Sequence, residues 1–88
     1  VQRGFFGAKG ITLREGLTDV NCDEVAIKHD MLGHAKQVIA VVDSTKWGKV
    51  GFASFAAIDQ LDCVITDRDA PPEMLDSLEE AGVRVVVA

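Results

Sequence analysis

Three things are scarce in this sequence. Cysteine occurs twice, at Cys22 and Cys63, with none of the spacings that mark a metal or redox pair. Thiols this sparse fit a reduced, cytosolic protein. Positive charge is also short: 9 Lys and Arg stand against 14 Asp and Glu, a net charge of −5. That argues against a nucleic-acid-binding segment, because phosphate contacts need clustered cations. Finally, nothing approaches the ~18 consecutive apolar residues of a membrane span, and no secretory signal pattern is present. Internal repeats and low-complexity tracts are absent as well.

What is there is one small domain of 88 residues, 48% of them apolar. This is a folded globular chain with a limited core. Residue 1 is Val, and the closing "VRVVVA" ends inside a predicted strand, so a fragment of a longer protein is expected. Residues 1–7 read as a short strand ended by Gly7. Residues 8–20 read as loop, with Gly10 and Gly16 as breakers and no apolar period. "NCDE" predicts a helix start, Asn21 as cap and Glu24 at the third helical position, and the helix should run to about Lys36. Residues 37–42 form an apolar run of the kind buried on both faces of a sheet. "DSTKWGKVG" reads as loop, and 52–58 as either a short strand or a helical turn. Residues 63–66 predict another buried strand. A helix over 72–81 follows, with Met74, Leu75, Leu78 and Ala81 at helical spacing and Gly82 as its left-handed stop. Residues 83–87 form a last strand.

Strands alternating with amphipathic helices imply βαβ units and an α/β fold with a mainly parallel sheet. Right-handed crossovers collect the strand C-terminal ends on one edge, outside which open α/β sheets bind ligands. Lys9, Lys46 and Arg68 each follow a strand end, with Asp43 and Asp67 and the hydroxyls of Ser44, Thr45 and Thr66. Cations and hydroxyls gathered on one edge of an acidic protein suggest an anionic, polyhydroxylated ligand. The competing reading is that these are solvated loop residues.

Lys28 is a separate signal. It falls in the middle of the helical arc made by Val25, Ile27, Met31, Leu32 and Ala35, so it either snorkels outward or reaches a partner. Facing the cleft of Asp43 and Lys46 is one possibility; an ordinary Glu24–Lys28 pair one turn apart is the other. His29 and His34, five residues apart, make a poor metal pair and are expected in solvent. Trp47 is expected to pack. Glu73, Asp76, Glu79 and Glu80 read as a solvated helix face. The glycines of "GFFGAKG" lack dinucleotide spacing, yet they allow backbone N–H groups to approach a ligand. No catalytic Ser/His/Asp or Cys/His set can be assembled.

The blocks "GFFGAKGI … GLT", "AIKHDMLGHAKQVIAVVDSTKWGK", "DCVITD" and "LEEAGVRVVVA", in this order, closely resemble the C-terminal effector-sensing domain of DeoR-type transcription regulators. "VVDSTKWG" matches that family's strand followed by Asp-Ser-Ser-Lys and an aromatic-Gly pair, and "VITD" its strand followed by Thr-Asp. The resemblance implies a three-layer domain, similar to ribose-5-phosphate isomerase and glucosamine-6-phosphate deaminase (an isomerase/CoA-transferase-like fold), of which residues 1–88 would be the second half. The family's winged helix-turn-helix and the first half of the sensor, with its Gly-Gly-x-Thr phosphate loop, are not in this sequence. Carried over, Asp43 and Lys46 are the leading ligand positions, Gly7 and Gly10 line the pocket, and Thr66 and Asp67 follow. Gln2 departs from the family's Asp, removing one polar contact. Lys28 lies about where the isomerases carry a glutamate base, and a lysine does not replace that carboxylate at neutral pH unless burial strongly depresses its pKa.

The leading expectation is therefore a cytoplasmic, non-catalytic sensing half-domain of a repressor. Its expected ligand residues are Asp43, Lys46, Lys28, Gly7, Gly10, Lys9, Ser44, Thr66 and Asp67. The expected partner is a phosphorylated sugar effector, with DNA reached only through the N-terminal domain, no membrane, no metal and no cofactor. A sugar-phosphate isomerase or deaminase is the enzyme alternative. A homo-oligomer, favoured by unpaired sheet edges and an incompletely covered face, is the assembly expectation.

Overall fold

The computed structural model describes residues 3–88. In chain order the elements are β1 (Arg3–Phe6), β2 (Gly10–Thr12), β3 (Gly16–Asp19), α1 (Cys22–His34), β4 (Gln37–Val41), β5 (Ala53–Ala56), β6 (Cys63–Thr66), α2 (Pro72–Glu80) and β7 (Arg84–Val87). Short 3-10 turns occupy Ser44–Lys46 and Ile58–Gln60. β1, β4, β6 and β7 form one sheet in that spatial order, every neighbouring pair parallel. β2, β3 and β5 form a second sheet, antiparallel throughout.

Both helices begin and end for local reasons. The Asn21 side chain accepts from the N–H groups of Asp23 and Glu24 at 2.8 and 3.1 Å, satisfying two donors that the first turn of α1 leaves free. Pro72 opens α2, where its missing N–H costs nothing. Past the end of α2, Gly82 adopts φ 90°, as expected of its stop position.

Residues 8–20 depart from the loop expectation: most of them fold into the β2–β3 hairpin. No alternation announces it, because all four residues of β3 are buried, the polar Thr18 and Asp19 included. Thr18 is held by tertiary hydrogen bonds, its hydroxyl donating to the Gly10 carbonyl at 3.3 Å and accepting from the Gly51 N–H at 2.7 Å. Glycine is required at two places in the hairpin. A Cβ on Gly10 would stand 2.1 Å from the Lys49 carbonyl oxygen, and one on Gly16, whose φ is 74°, would stand 2.0 Å from that of Ala56. The ambiguous segment 52–58 resolves into β5 and the start of the second 3-10 turn.

The core lies on one side of the parallel sheet. Phe6, Val38, Ala40 and Val64 point inward and pack with Leu32 of α1, Phe55 of β5, Leu61, and Leu78 of α2. The Phe6 and Phe55 rings sit 6.4 Å apart, a tilted pair. Each large side chain buried this way contributes about 1.5–3 kcal/mol. On α1 the buried stripe is narrower than expected: Val25, Lys28, Leu32 and Ala35 turn inward, whereas Ile27 and Met31 are exposed. No described residues pack over that side of the helix. On α2, Met74, Leu75 and Leu78 turn inward, but Ala81, the C-cap, is exposed. Glu73, Asp76, Glu79 and Glu80 face solvent, as do His29 and His34.

The opposite face of the parallel sheet is open. Moving from β1 to β4, β6 and β7, the chain always steps the same way across the sheet. Three successive right-handed crossovers in one direction put every connection on one face. Phe5, Ile39, Val41, Cys63, Ile65 and Val86 project from the other, each exposed or half-buried.

Candidate functional site

The parallel register brings the ends of β1, β4, β6 and β7 to one edge. Gly7 and Lys9, Asp43 to Lys46, Asp67 with Arg68, and Ala88 all follow those ends. The second sheet closes over part of this edge. Ile11 of β2 bridges to Trp47, and the Gly48 N–H donates to the Ile11 carbonyl at 2.9 Å. The loops after β1 and β4 are thereby joined.

Two aspartates shape the loops. Asp43 caps the 3-10 turn: its Oδ1 accepts from the Thr45 N–H at 2.9 Å and from the Thr45 hydroxyl. Asp67 ties the β6 loop to the β4 loop, its Oδ2 accepting from the Ser44 N–H at 3.0 Å and its Oδ1 from the Asp69 N–H at 3.0 Å. Hydrogen bonds to the charged form hold both carboxyls below the ordinary aspartate range, from Thr45 foremost at Asp43 and from the Ser44 backbone foremost at Asp67. The Lys46 ammonium stands 4.0 Å from Asp43 Oδ2, beyond hydrogen-bond reach. Beside these groups lies a cleft of about 200 Å³ lined by Val41, Val42, Asp43, Ile65, Thr66, Asp67 and Ala88. Its floor is apolar and its rim carries the two carboxylates.

Three other expected ligand residues have structural work at their positions. The Thr66 hydroxyl is buried and accepts from the Trp47 indole N–H at 3.1 Å, so Trp47 packs, as expected, and points its one polar atom at Thr66. Gly10 is buried against the Lys49 carbonyl, which explains the glycine by close backbone approach. Lys28 reaches a partner: its Nζ donates to Asp19 Oδ2 at 2.6 Å and to the Gly7 carbonyl at 2.8 Å, with Glu24 at 3.7 Å and the Phe55 ring centroid at 5.1 Å. It ties α1 and β3 to the end of β1. Burial pushes the Asp19 carboxyl up, but the hydrogen bonds from Lys28 and Val20 and the Lys28 charge together outweigh it, leaving Asp19 below its usual value. Asp19 escaped sequence reasoning because it lay in a segment read as loop; the lysine inside an apolar arc was the only signal that a buried carboxylate existed. Gln2 lies outside the described residues. Among the described residues no group of three or more His, Cys, Asp or Glu side chains is placed to hold a metal, and no helix is long and apolar enough to cross a membrane.

A parallel α/β domain with polar loops gathered at one strand edge is the class this geometry defines. Residues 1–68 match the family described as the DeoR C terminal sensor domain, and the chain belongs to that family. It is 33% identical over 84 residues to the HTH-type transcriptional regulator GolR of Listeria innocua, covering 96% of this chain and 33% of that protein. It is 35% identical over 82 residues to the HTH-type transcriptional regulator GlpR of Haloferax volcanii, covering 93% and 32%. It is 33% identical over 87 residues to the HTH-type transcriptional repressor GlcR of Bacillus subtilis, covering 99% and 33%. The chain thus spans about a third of the length of these relatives. By their names these relatives are transcription regulators.

Proposed function

We propose that this chain is the C-terminal part of the effector-sensing domain of a cytoplasmic transcription regulator, one that binds a phosphorylated sugar or related metabolite without turning it over. The observation that carries the reading is the loop cluster at the C-terminal edge of the parallel sheet. There Asp43 and Asp67 are held ionised beside an apolar cleft, and Lys46 stands near Asp43 without a hydrogen bond to it. Carboxylates have about four acceptor sites each, so both aspartates retain capacity for sugar hydroxyls after fastening their loops. Lys46, with Lys9 on the same edge, supplies charge for an anionic group. The Ser44 hydroxyl and the backbone amides around Gly7 complete the polar lining.

Lys28 enters this reading as a support. Its ammonium holds the Gly7 carbonyl, and so the start of the β1 loop, against Asp19. DNA is contacted through the regulator's N-terminal domain, and the effector acts by favouring one arrangement of those domains. A sugar phosphate that bound both arrangements equally would regulate nothing. Ile27 and Met31 leave an apolar stripe on the outer side of α1, 59% and 50% exposed, which supports a homo-oligomer.

The test is titration calorimetry of the regulator carrying this domain against ribose 5-phosphate, glucosamine 6-phosphate, the parent sugars and inorganic phosphate. Binding of a phosphorylated sugar, weakened about tenfold or more by Lys46→Ala at unchanged thermal stability, is expected from the loss of one charge-assisted contact. A Lys46→Ala variant that binds as tightly as the unmodified protein removes Lys46 from the site.

A further inference from the structure

β5 is an outer strand. It pairs with β3 on one side, and among the described residues no strand pairs with the other. Such an edge presents free N–H and C=O groups, and proteins blunt it with charge, proline or cover. The other outer strands carry such devices. β1 has Arg3, β7 has Arg84, and β2, only three residues long, is bridged at Ile11 by Trp47. β5 has none of them: the stretch "VGFASFAAI", residues 50–58, contains no charged residue and no proline.

The side chains beside this edge are apolar and exposed. Phe52 is 70% exposed, and Val20 and Val50 are exposed with it. The three are neighbours because Gly51 lies against the Asp19 backbone: a Cβ there would stand 2.7 Å from the Asp19 carbonyl oxygen. Asp19 also pairs with Ala53 in register.

Charge identifies the occupant. Two copies of this chain, each at −5, repel one another, so contact is least opposed where the surface is uncharged. The uncharged stretch is bounded by Lys49 before it and Asp59 after it, both exposed and at equal distance along the chain from Ser54. An antiparallel pair centred on Ser54 brings Lys49 of each copy toward Asp59 of the other, whereas parallel pairing sets like charge against like. A two-fold axis generates the antiparallel arrangement, since each copy offers the same strand.

We propose that β5 pairs antiparallel with β5 of a second copy about a two-fold axis near Ser54. The two antiparallel sheets then join into one, with Val20, Val50 and Phe52 packed across the joint. The paired edge is about 13 Å long. With three apolar side chains beside it, the contact falls at the low end of interface sizes, and dissociation in the micromolar range is expected. The proposal rests on the homo-oligomer reading, to which it assigns a surface, and not on which effector binds.

The test is sedimentation velocity with hydrogen exchange on the regulator carrying this domain, without sugar phosphate, over a roughly 100-fold range of concentration. Expected is association in which the amides of residues 53–56 lose protection on dilution. Phe52→Lys should weaken that association roughly tenfold or more while leaving Tm near that of the parent. Lys49→Asp and Asp59→Lys should each weaken it, and the two together should restore it. An oligomer that Phe52→Lys and the charge exchanges leave unchanged is held elsewhere, which overturns the proposal and spares the homo-oligomer reading. A monomer throughout overturns both. Protection of 53–56 that neither dilution nor Phe52→Lys alters identifies a strand of the same polypeptide as the occupant and overturns the proposal equally. Because no effector is added, a failure to bind sugar phosphates leaves these results untouched.

Discussion

Replacing Lys28 by Met removes one partner of a buried ion pair while keeping most of the apolar stem. Asp19, 3% exposed, then keeps the Val20 N–H but loses its cation, and the Gly7 carbonyl loses its donor. Breaking a fully buried pair costs about 3–5 kcal/mol. The Lys28 side chain is 19% exposed, so a discounted loss of about 2–3 kcal/mol is expected. An 88-residue domain has roughly 4–13 kcal/mol in all. The accompanying fall in Tm is on the order of 10–20 °C. The pH dependence should also weaken. In the unmodified protein Asp19 titrates below its ordinary 3.8. Its contribution is full above the unfolded value and fades as pH falls through the lower folded one. In Lys28→Met the burial effect, the largest single influence on Asp19, is opposed only by the backbone hydrogen bonds from Val20 and Asn21, so the folded pKa rises from its value in the parent. The stability lost as pH falls through the acid range should then be smaller than in the parent. Urea denaturation at several pH values, read by the fluorescence of the single Trp47, measures both effects. A variant within about 0.5 kcal/mol of the parent at pH 7, with the same pH slope, would refute the account of Lys28 as a structural cation.

Two further substitutions probe the frame around the site. Gly10→Ala forces a Cβ to 2.1 Å from the Lys49 carbonyl, and a loss of about 2–4 kcal/mol is expected by denaturation; a loss under about 1 kcal/mol would mean the Lys49 loop yields readily. Asn21→Ala leaves the N–H groups of Asp23 and Glu24 without their shared acceptor and should cost about 1 kcal/mol, read as a lower urea midpoint at unchanged slope.

Local signals were legible. The start of α1 could be read because capping involves neighbours in sequence: Asn21 and the N–H groups two and three residues on. The inward side of α2 was visible in the spacing of Met74, Leu75 and Leu78, and its stop in Gly82. β4 and β6 were visible as apolar runs, and the parallel sheet followed from the alternation of such strands with the helices expected over 21–36 and 72–81. The grouping of residues after strand ends on one edge was legible for the same reason, since parallel strands share a direction. The hairpin of β2 and β3 was not. Its buried polar residues obey no hydrophobic period, and Thr18 is acceptable in a core only because Gly10 and Gly51, distant in sequence, supply hydrogen bonds.

The amino-acid order by itself determined the helices with their caps, the apolar strands of the parallel sheet, and the polar loops that follow them, because those depend on periodicity and on contacts a few residues apart. Tertiary structure decided the rest. It turned Lys28 toward Asp19, buried the Thr66 hydroxyl under Trp47, and placed every crossover on one side of the sheet, leaving the other bare. Those outcomes join residues 9 to 34 positions apart or depend on the direction in which the chain crosses the sheet, and no local pattern encodes either.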